Sequence, residues 1–188
     1  METVVLTTDR LELRTPTASD ADDITRACQD PEIPRWTTVP SPYTREHADD
    51  FIVSVAKGWE EEKDFVWAVR ADGALVGMIG LHHVNAHPAG TDAEIGFWMV
   101  SDARGKGYLS EAARPVIDWA FAEQGMVRLG WRAVAGNIPS ARTARTLGFR
   151  YEGLQRLALT SPRGRDDGWF AGLLATDDRM PVAWTVLD

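Results

Sequence analysis

The chain has 188 residues, 44% of them hydrophobic, which suits one domain, residues 1–188, with a sizeable core. A formal net charge of −8 argues against nucleic acid as a partner and favours cationic ligands such as amines. Cys28 stands alone, Met1-Glu2-Thr3 lacks the basic start of a signal peptide, and no apolar run reaches about 18 residues. These features point to a cytoplasmic protein with neither disulfides nor a membrane span. Eight tryptophans fit core or interface packing, and the composition is compatible with a homodimer.

In chain order, Arg10 to Thr15 alternates Leu11 and Leu13 with Glu12 and Arg14, the pattern of a half-buried strand. Ser19-Asp20 caps a predicted helix reaching Cys28. Pro31, Pro34, Pro40 and Pro42 predict an irregular loop carrying Trp36, with Tyr43 at its end. Thr44 opens a second helix whose buried stripe is Phe51, Ile52 and Val55. Phe65 to Arg70 and Leu75 to Leu81 read as strands joined by a turn at Asp72-Gly73.

The strand from Asp92 to Val100 places Ala93, Ile95, Phe97 and Met99 on one face and Glu94, Gly96 and Trp98 on the other. Arg104-Gly105-Lys106-Gly107-Tyr108-Leu109 follows, then a helix from Glu111 to Glu123 that ends at Gly125. Two glycines between a strand and a helix allow a tight turn and close approach of a ligand. Free N–H groups and the positive end of the helix dipole then favour a pyrophosphate, with Arg104 and Lys106 adding charge. Val127 to Ala135 is the next strand, completing a strand–helix–strand crossover. Asn137 to Ser140 starts a short helix that stops at Gly148. Arg150 to Thr160 and Gly168 to Thr176 close the fold as a strand pair. The expected class is mixed α/β, with a twisted mixed sheet of about seven strands and helices on both faces.

Three glycine-loop chemistries compete. The string G-x-x-x-x-G-K-[ST] of a P-loop does not occur. A dinucleotide loop needs a third glycine where Ser110 stands, and an acid at the end of the next strand, where Ala135-Gly136-Asn137 has none. The third is an acyl-CoA loop. Arg104-x-x-Gly107-x-Leu109 resembles the [QR]-x-x-G-x-[GA] signature of the GNAT superfamily of N-acyltransferases, departing at Leu109. Thr8-Asp9-Arg10-Leu11-Glu12-Leu13-Arg14, Asp30-Pro31, Ala93-Glu94-Ile95-Gly96-Phe97-Trp98, Asn137-x-x-Ser140 and Leu147-Gly148-Phe149-x-x-Glu152-Gly153 resemble its RimJ/RimL-like branch of ribosomal-protein N-terminal acetyltransferases.

The resemblance implies a fold with the strands Asp92–Val100 and Val127–Ala135 splayed apart. Pantetheine would lie in the split along Phe97, Trp98 and Met99, and pyrophosphate on the N–H groups of Gly105, Lys106, Gly107, Tyr108 and Leu109. The implied cosubstrate is acetyl-CoA or another acyl-CoA, without metal. The acceptor is an amine of a protein N-terminus or a small molecule. Many relatives carry a tyrosine acid where this chain has Ala144, so that role falls to Ser140, which either stabilises the leaving thiolate or merely opens its helix. Asn137 touches pantetheine or shapes the turn. Glu94 is the candidate base, unless it faces solvent or pairs with arginine, and His82 and His83 are rivals. Arg142 and Arg145 share a helix face and reach for the 3′-phosphate of CoA, or are solvated. Trp36, Tyr43 and His83 are the acceptor-side candidates. Asp166 and Asp167, in the last hairpin, are further groups able to attract an amine. A non-catalytic acyl-CoA sensor and a succinyl-CoA donor are the alternatives.

Overall fold

Two short strands at the N-terminus, β1 (Leu6–Thr7) and β2 (Glu12–Arg14), start the sheet in the computed structural model, which describes residues 1–188. A one-turn 3-10 helix leads into α1 (Ala21–Ala27), followed by α2 (Glu32–Trp36) and α3 (Arg45–Glu60). Then come β3 (Phe65–Ala71), β4 (Ala74–Asn85), β5 (Thr91–Met99), α4 (Tyr108–Ala122), β6 (Met126–Val134), α5 (Ile138–Thr146), β7 (Arg150–Ser161) and β8 (Gly164–Leu174). The eight strands form one sheet in the order β1-β2-β3-β4-β5-β6-β8-β7. Every pairing is antiparallel except β5 with β6. The mixed α/β class with a central mixed sheet is therefore observed.

Local departures from the sequence reading have local causes. Part of the proline-rich stretch is the helix α2: Pro31 takes the N-cap position and Pro34 falls in the first turn, where a missing N–H costs nothing. Helix α4 starts at Tyr108 because Gly107, at φ +79°, already serves as its N-cap. In α3 the buried face is Ala48, Val55, Gly58 and Trp59, while Phe51 and Ile52 are half-buried. The turn of the last hairpin lies at Pro162-Arg163, so Asp166 and Asp167 sit within β8.

The sheet has two unlike faces. Phe65, Trp67, Ile79, Leu81, Ile95, Leu129 and Trp131 share one of them, by the cross-strand register and the alternation of side chains. There Trp59, Phe65, Trp67 and Trp119 meet at ring-centroid separations of 4.9–5.9 Å, mostly edge-on. This aromatic block joins α3 and α4 to the sheet. Val66, Met78, Gly80, His82, Glu94, Gly96, Trp98 and Arg132 share the other face. The C-terminal tail adds a plug: Trp184 is buried against Trp131 and Tyr151, and its indole N–H donates to the Phe149 carbonyl at 3.1 Å.

Candidate active site

The parallel pairing of β5 with β6 stops early. It joins Thr91–Glu94 to Met126–Gly130, and beyond Gly130 strand β6 runs on to Val134 paired only with β8 on its other edge. Ile95 to Met99 are thus left with β4 on one side and no strand on the other. Alternate backbone N–H and C=O groups on that open edge lack a ladder partner, and such groups demand one from a ligand or water. An open cleft of about 1110 Å³ occupies the split and connects the two faces of the sheet.

One end of the cleft is built from backbone. Gly105 (φ +74°) and Gly107 (φ +79°) turn the chain from β5 into α4; a Cβ on Gly105 would meet open space, and one on Gly107 would touch Arg10 Nη2 at 3.7 Å. The first backbone N–H to bond within α4 is that of Glu111, to the Gly107 carbonyl at 3.1 Å; those of Gly105 through Ser110 find no acceptor in the protein. Such a row of free donors at a helix N-terminus suits a pyrophosphate. Leu109 lines the cleft while packing on the core, so its side chain lies beside the cradle and its N–H remains in it. The N-terminal motif clamps this loop. Arg10 Nε donates to Glu111 Oε2 at 2.7 Å, Arg10 Nη1 to the Lys106 carbonyl at 3.3 Å, and Thr8 Oγ1 to Glu111 Oε1 at 2.5 Å. The bonds to Glu111, that from Thr8 first and then those from Arg10, hold its carboxyl below its ordinary pKa.

Arg104 is bound within the protein. Its guanidinium donates to the Met99 carbonyl at 3.0 and 3.1 Å and pairs with Asp30 at 2.7 Å, so it fixes the loop. Lys106 is exposed and outside the cleft lining. Gly105, Gly107, Tyr108 and Leu109 line the cleft together with Phe97, Trp98 and Met99. Arg142 and Arg145 do not, and Arg145 is held by Asp188 at 2.8 Å.

In the middle stands Ser140. Its Oγ accepts a hydrogen bond from the buried Trp131 indole N–H at 3.2 Å. That bond occupies an oxygen lone pair and leaves the hydroxyl hydrogen free to donate. Asn137, nearly buried, caps α5 through Oδ1, which accepts from the Ser140 N–H at 3.3 Å. Both residues line the cleft, so the Asn137-x-x-Ser140 spacing is a capping arrangement that also aims a hydroxyl.

The far end is built from side chains of distant segments. Glu94 Oε2 lies 2.7 Å from Arg132 Nε, and the same guanidinium reaches His83 Nε2 at 3.5 Å. His83 itself sits at φ +53°, where the β4–β5 register shifts. His82, the residue before it on β4, is the cross-strand partner of Glu94, with Nδ1 3.1 Å from Asp64 Oδ1. Trp36 borders the cleft, with its indole N–H donating to Glu32 at 2.9 Å and Arg35 stacked on its ring. Tyr43 lies outside the cleft. It is buried beside Cys28, and burial pushes its phenol up. Asp166 lines the cleft and pairs with Arg163 at 3.5 Å, whereas Asp167 accepts the backbone N–H of Leu157.

Sequence reasoning passed over Asp64, just before β3, and the adjacent Trp131 and Arg132 of β6, which reach the site from two separate segments. A signal was present in Gly80 and Gly96, since glycine inside a strand marks the close approach of another group. No set of three or more His, Cys, Asp or Glu side chains is gathered to hold a metal, and no helix is long and apolar enough to cross a membrane.

Residues 10–150 match the family model described as an acetyltransferase (GNAT) domain. This chain belongs to the GNAT acetyltransferase family. It is 30% identical over 155 residues to the uncharacterized N-acetyltransferase YoaA of Bacillus subtilis, covering 81% of this chain and 86% of that one. A crystal structure of a probable acetyltransferase superposes with a TM-score of 0.83 at 25% identity, covering 93% of this chain and 98% of the other. RimL, a ribosomal L7/L12 α-N-protein acetyltransferase solved in complex with coenzyme A, superposes with a TM-score of 0.83 at 15% identity, covering 91% and 98%. The GNAT protein described here is accordingly an acyl-CoA-dependent acyltransferase, and its N–H cradle and split strands fit that cosubstrate.

Proposed function

We propose that this GNAT enzyme transfers an acetyl group from acetyl-CoA to a primary amine, with an α-amino group of a protein N-terminus as the preferred acceptor, in the manner of the RimJ/RimL-like branch. The observation that carries the reading is Ser140. Its hydroxyl, oriented by Trp131, stands between a backbone cradle suited to pyrophosphate and an open acceptor face. Bound acetyl-CoA supplies an activated thioester. The free N–H groups of Gly105 through Ser110 hold its pyrophosphate, the open edge of β5 takes the amide groups of its arm, and Ser140 donates a hydrogen bond to the sulfur as negative charge develops.

Transfer is direct. Cys28 is the lone thiol, it is buried, and burial pushes its pKa up to about 12, so it is no nucleophile at neutral pH. The acceptor preference follows from proton balance. An α-amine has a pKa near 8 and is roughly one-tenth neutral at pH 7, whereas a lysine amine near 10.4 is neutral in only about one part in a thousand. Similarity to RimL supports the same acceptor class.

The test is free-thiol release from acetyl-CoA and succinyl-CoA against a panel of peptides with free or blocked N-termini, polyamines and amino acids. The reading expects acetyl-CoA with free N-termini to be fastest. Equal rates with blocked and free N-termini, or a faster succinyl donor, would overturn it.

A further inference from the structure

The imidazole of His82 is the best-aimed basic group on the acceptor face. Gly80 and Gly96 are register partners on β4 and β5, and the His82 ring lies over both. A Cβ on Gly80 would stand 2.8 Å from Nε2, and one on Gly96 would stand 3.0 Å from Cδ2. Two glycines thus open a seat for this ring inside the cleft, which His82, Gly80 and Gly96 all line. At its other edge Nδ1 meets Asp64 Oδ1 at 3.1 Å, and the same oxygen accepts the His83 backbone N–H at 3.3 Å.

Resting on the amine-transfer reading, we infer that His82 is the general base of this enzyme, and that Asp64 is the positioning residue that sets its tautomer. The hydrogen bond with His82 holds the Asp64 carboxyl below its ordinary pKa, against burial, so Asp64 is a carboxylate and can only accept. The proton of a neutral His82 therefore sits on Nδ1, which leaves the Nε2 lone pair, over the glycines, to take a proton. Glu94, the other candidate, is engaged by Arg132 at 2.7 Å. The remaining charged groups of the cleft are also bound: His83 to Arg132, Glu32 to Arg35 and Trp36, Arg104 to Asp30, and Arg163 to Asp166. In the step, Nε2 removes one proton from the acceptor nitrogen, directly or through a water. That nitrogen forms the C–N bond to the thioester carbonyl carbon. The C–S bond breaks, the sulfur leaves with its electron pair beside the Ser140 hydroxyl and takes up the second proton lost by the nitrogen to give the free thiol, and nothing is oxidised or reduced.

Two measurements test this. Nitrogen-15 NMR of labelled histidine, with the His82 signal assigned by its loss in His82→Gln, should show the Nδ1–H tautomer in the wild type and its loss in Asp64→Ala. An Nε2–H tautomer in the wild type overturns the inference. Thiol release from acetyl-CoA with an alanine-initiated peptide amide should fall about a hundredfold in His82→Gln at pH 7. It should recover as pH rises and the peptide amine becomes neutral by itself, while acetyl-CoA affinity by calorimetry stays unchanged. A pH-independent loss assigns His82 a structural role and overturns the inference, leaving amine transfer intact. Failure of the wild type to release thiol with any amine of the panel overturns amine transfer, and the base role with it, whatever tautomer is found.

Discussion

The two ends of the cleft are built by different means. The end proposed for the cosubstrate is backbone: a row of N–H groups from Gly105 to Ser110, shaped by two glycines at positive φ and clamped by the Thr8–Arg10–Glu111 bonds. The end proposed for the acceptor is side chain: Asp64 and His82, Glu94 and Arg132, each pair reaching across separate segments. A backbone site tolerates almost any side chain outward from it and is broken by what the φ angle forbids. A side-chain site depends on one tautomer or one ion pair and is tuned by single atoms. The difference teaches that the two ends fail by different means, a forbidden φ at one and a lost tautomer or ion pair at the other.

The sharpest break belongs to the backbone end. Gly107→Val puts a β-branched residue at φ +79°, which costs about 1–3 kcal/mol, and crowds the cradle. Acetyl-CoA affinity should fall at least about a hundredfold, or ~2.7 kcal/mol, by calorimetry. Unchanged affinity would remove the loop from the site. Between the two ends, Ser140→Ala should lower kcat about thirtyfold, ~2 kcal/mol, with the Kd of acetyl-CoA preserved. A rise in Kd with constant kcat would make Ser140 a capping residue only.

At the acceptor end, Glu94→Gln frees Arg132 and should reduce kcat/KM about fivefold by the same factor at every pH, because a carboxylate already paired serves to position rather than to accept protons. A loss that vanishes at high pH would restore Glu94 as the base. The smallest effect is on the clamp. Glu111→Gln should lower Tm by about 2–4 °C at pH 7. The folded-state pKa of Glu111 is depressed, so its stabilisation is present above the ordinary glutamate value near 4.3 and is lost as pH falls through the lower folded value. The gap in Tm between wild type and variant should therefore close in acid.

Local rules made much of the fold legible. Alternation placed β2 and β5, and the Asp72-Gly73 turn between β3 and β4, the Gly125 stop and the strand–helix–strand unit are written in neighbouring residues. The glycine loop was legible for the same reason, since tight turning and free helix-end donors are properties of a short segment. Illegible were the short helix α2, hidden by prolines that happen to fall in a first turn, and the role of the tail, where Trp184 packs on Trp131 and Asp188 holds Arg145.

The sequence by itself determined the class, the order of elements from β3 onward, the glycine turn and the capped start of α5 that carries Ser140, because each rests on periodicity or on the φ preferences of a few adjacent residues. Only the tertiary structure decided which charged groups are free. It tied Arg104 to Asp30, Arg145 to Asp188 and Glu94 to Arg132, buried Tyr43, and set the ring of His82 between Asp64 and two glycines. The physical reason is range. Backbone geometry is fixed within a few residues, whereas a side chain's protonation and partners are fixed by whatever distant segment the sheet register brings within about 3 Å of it.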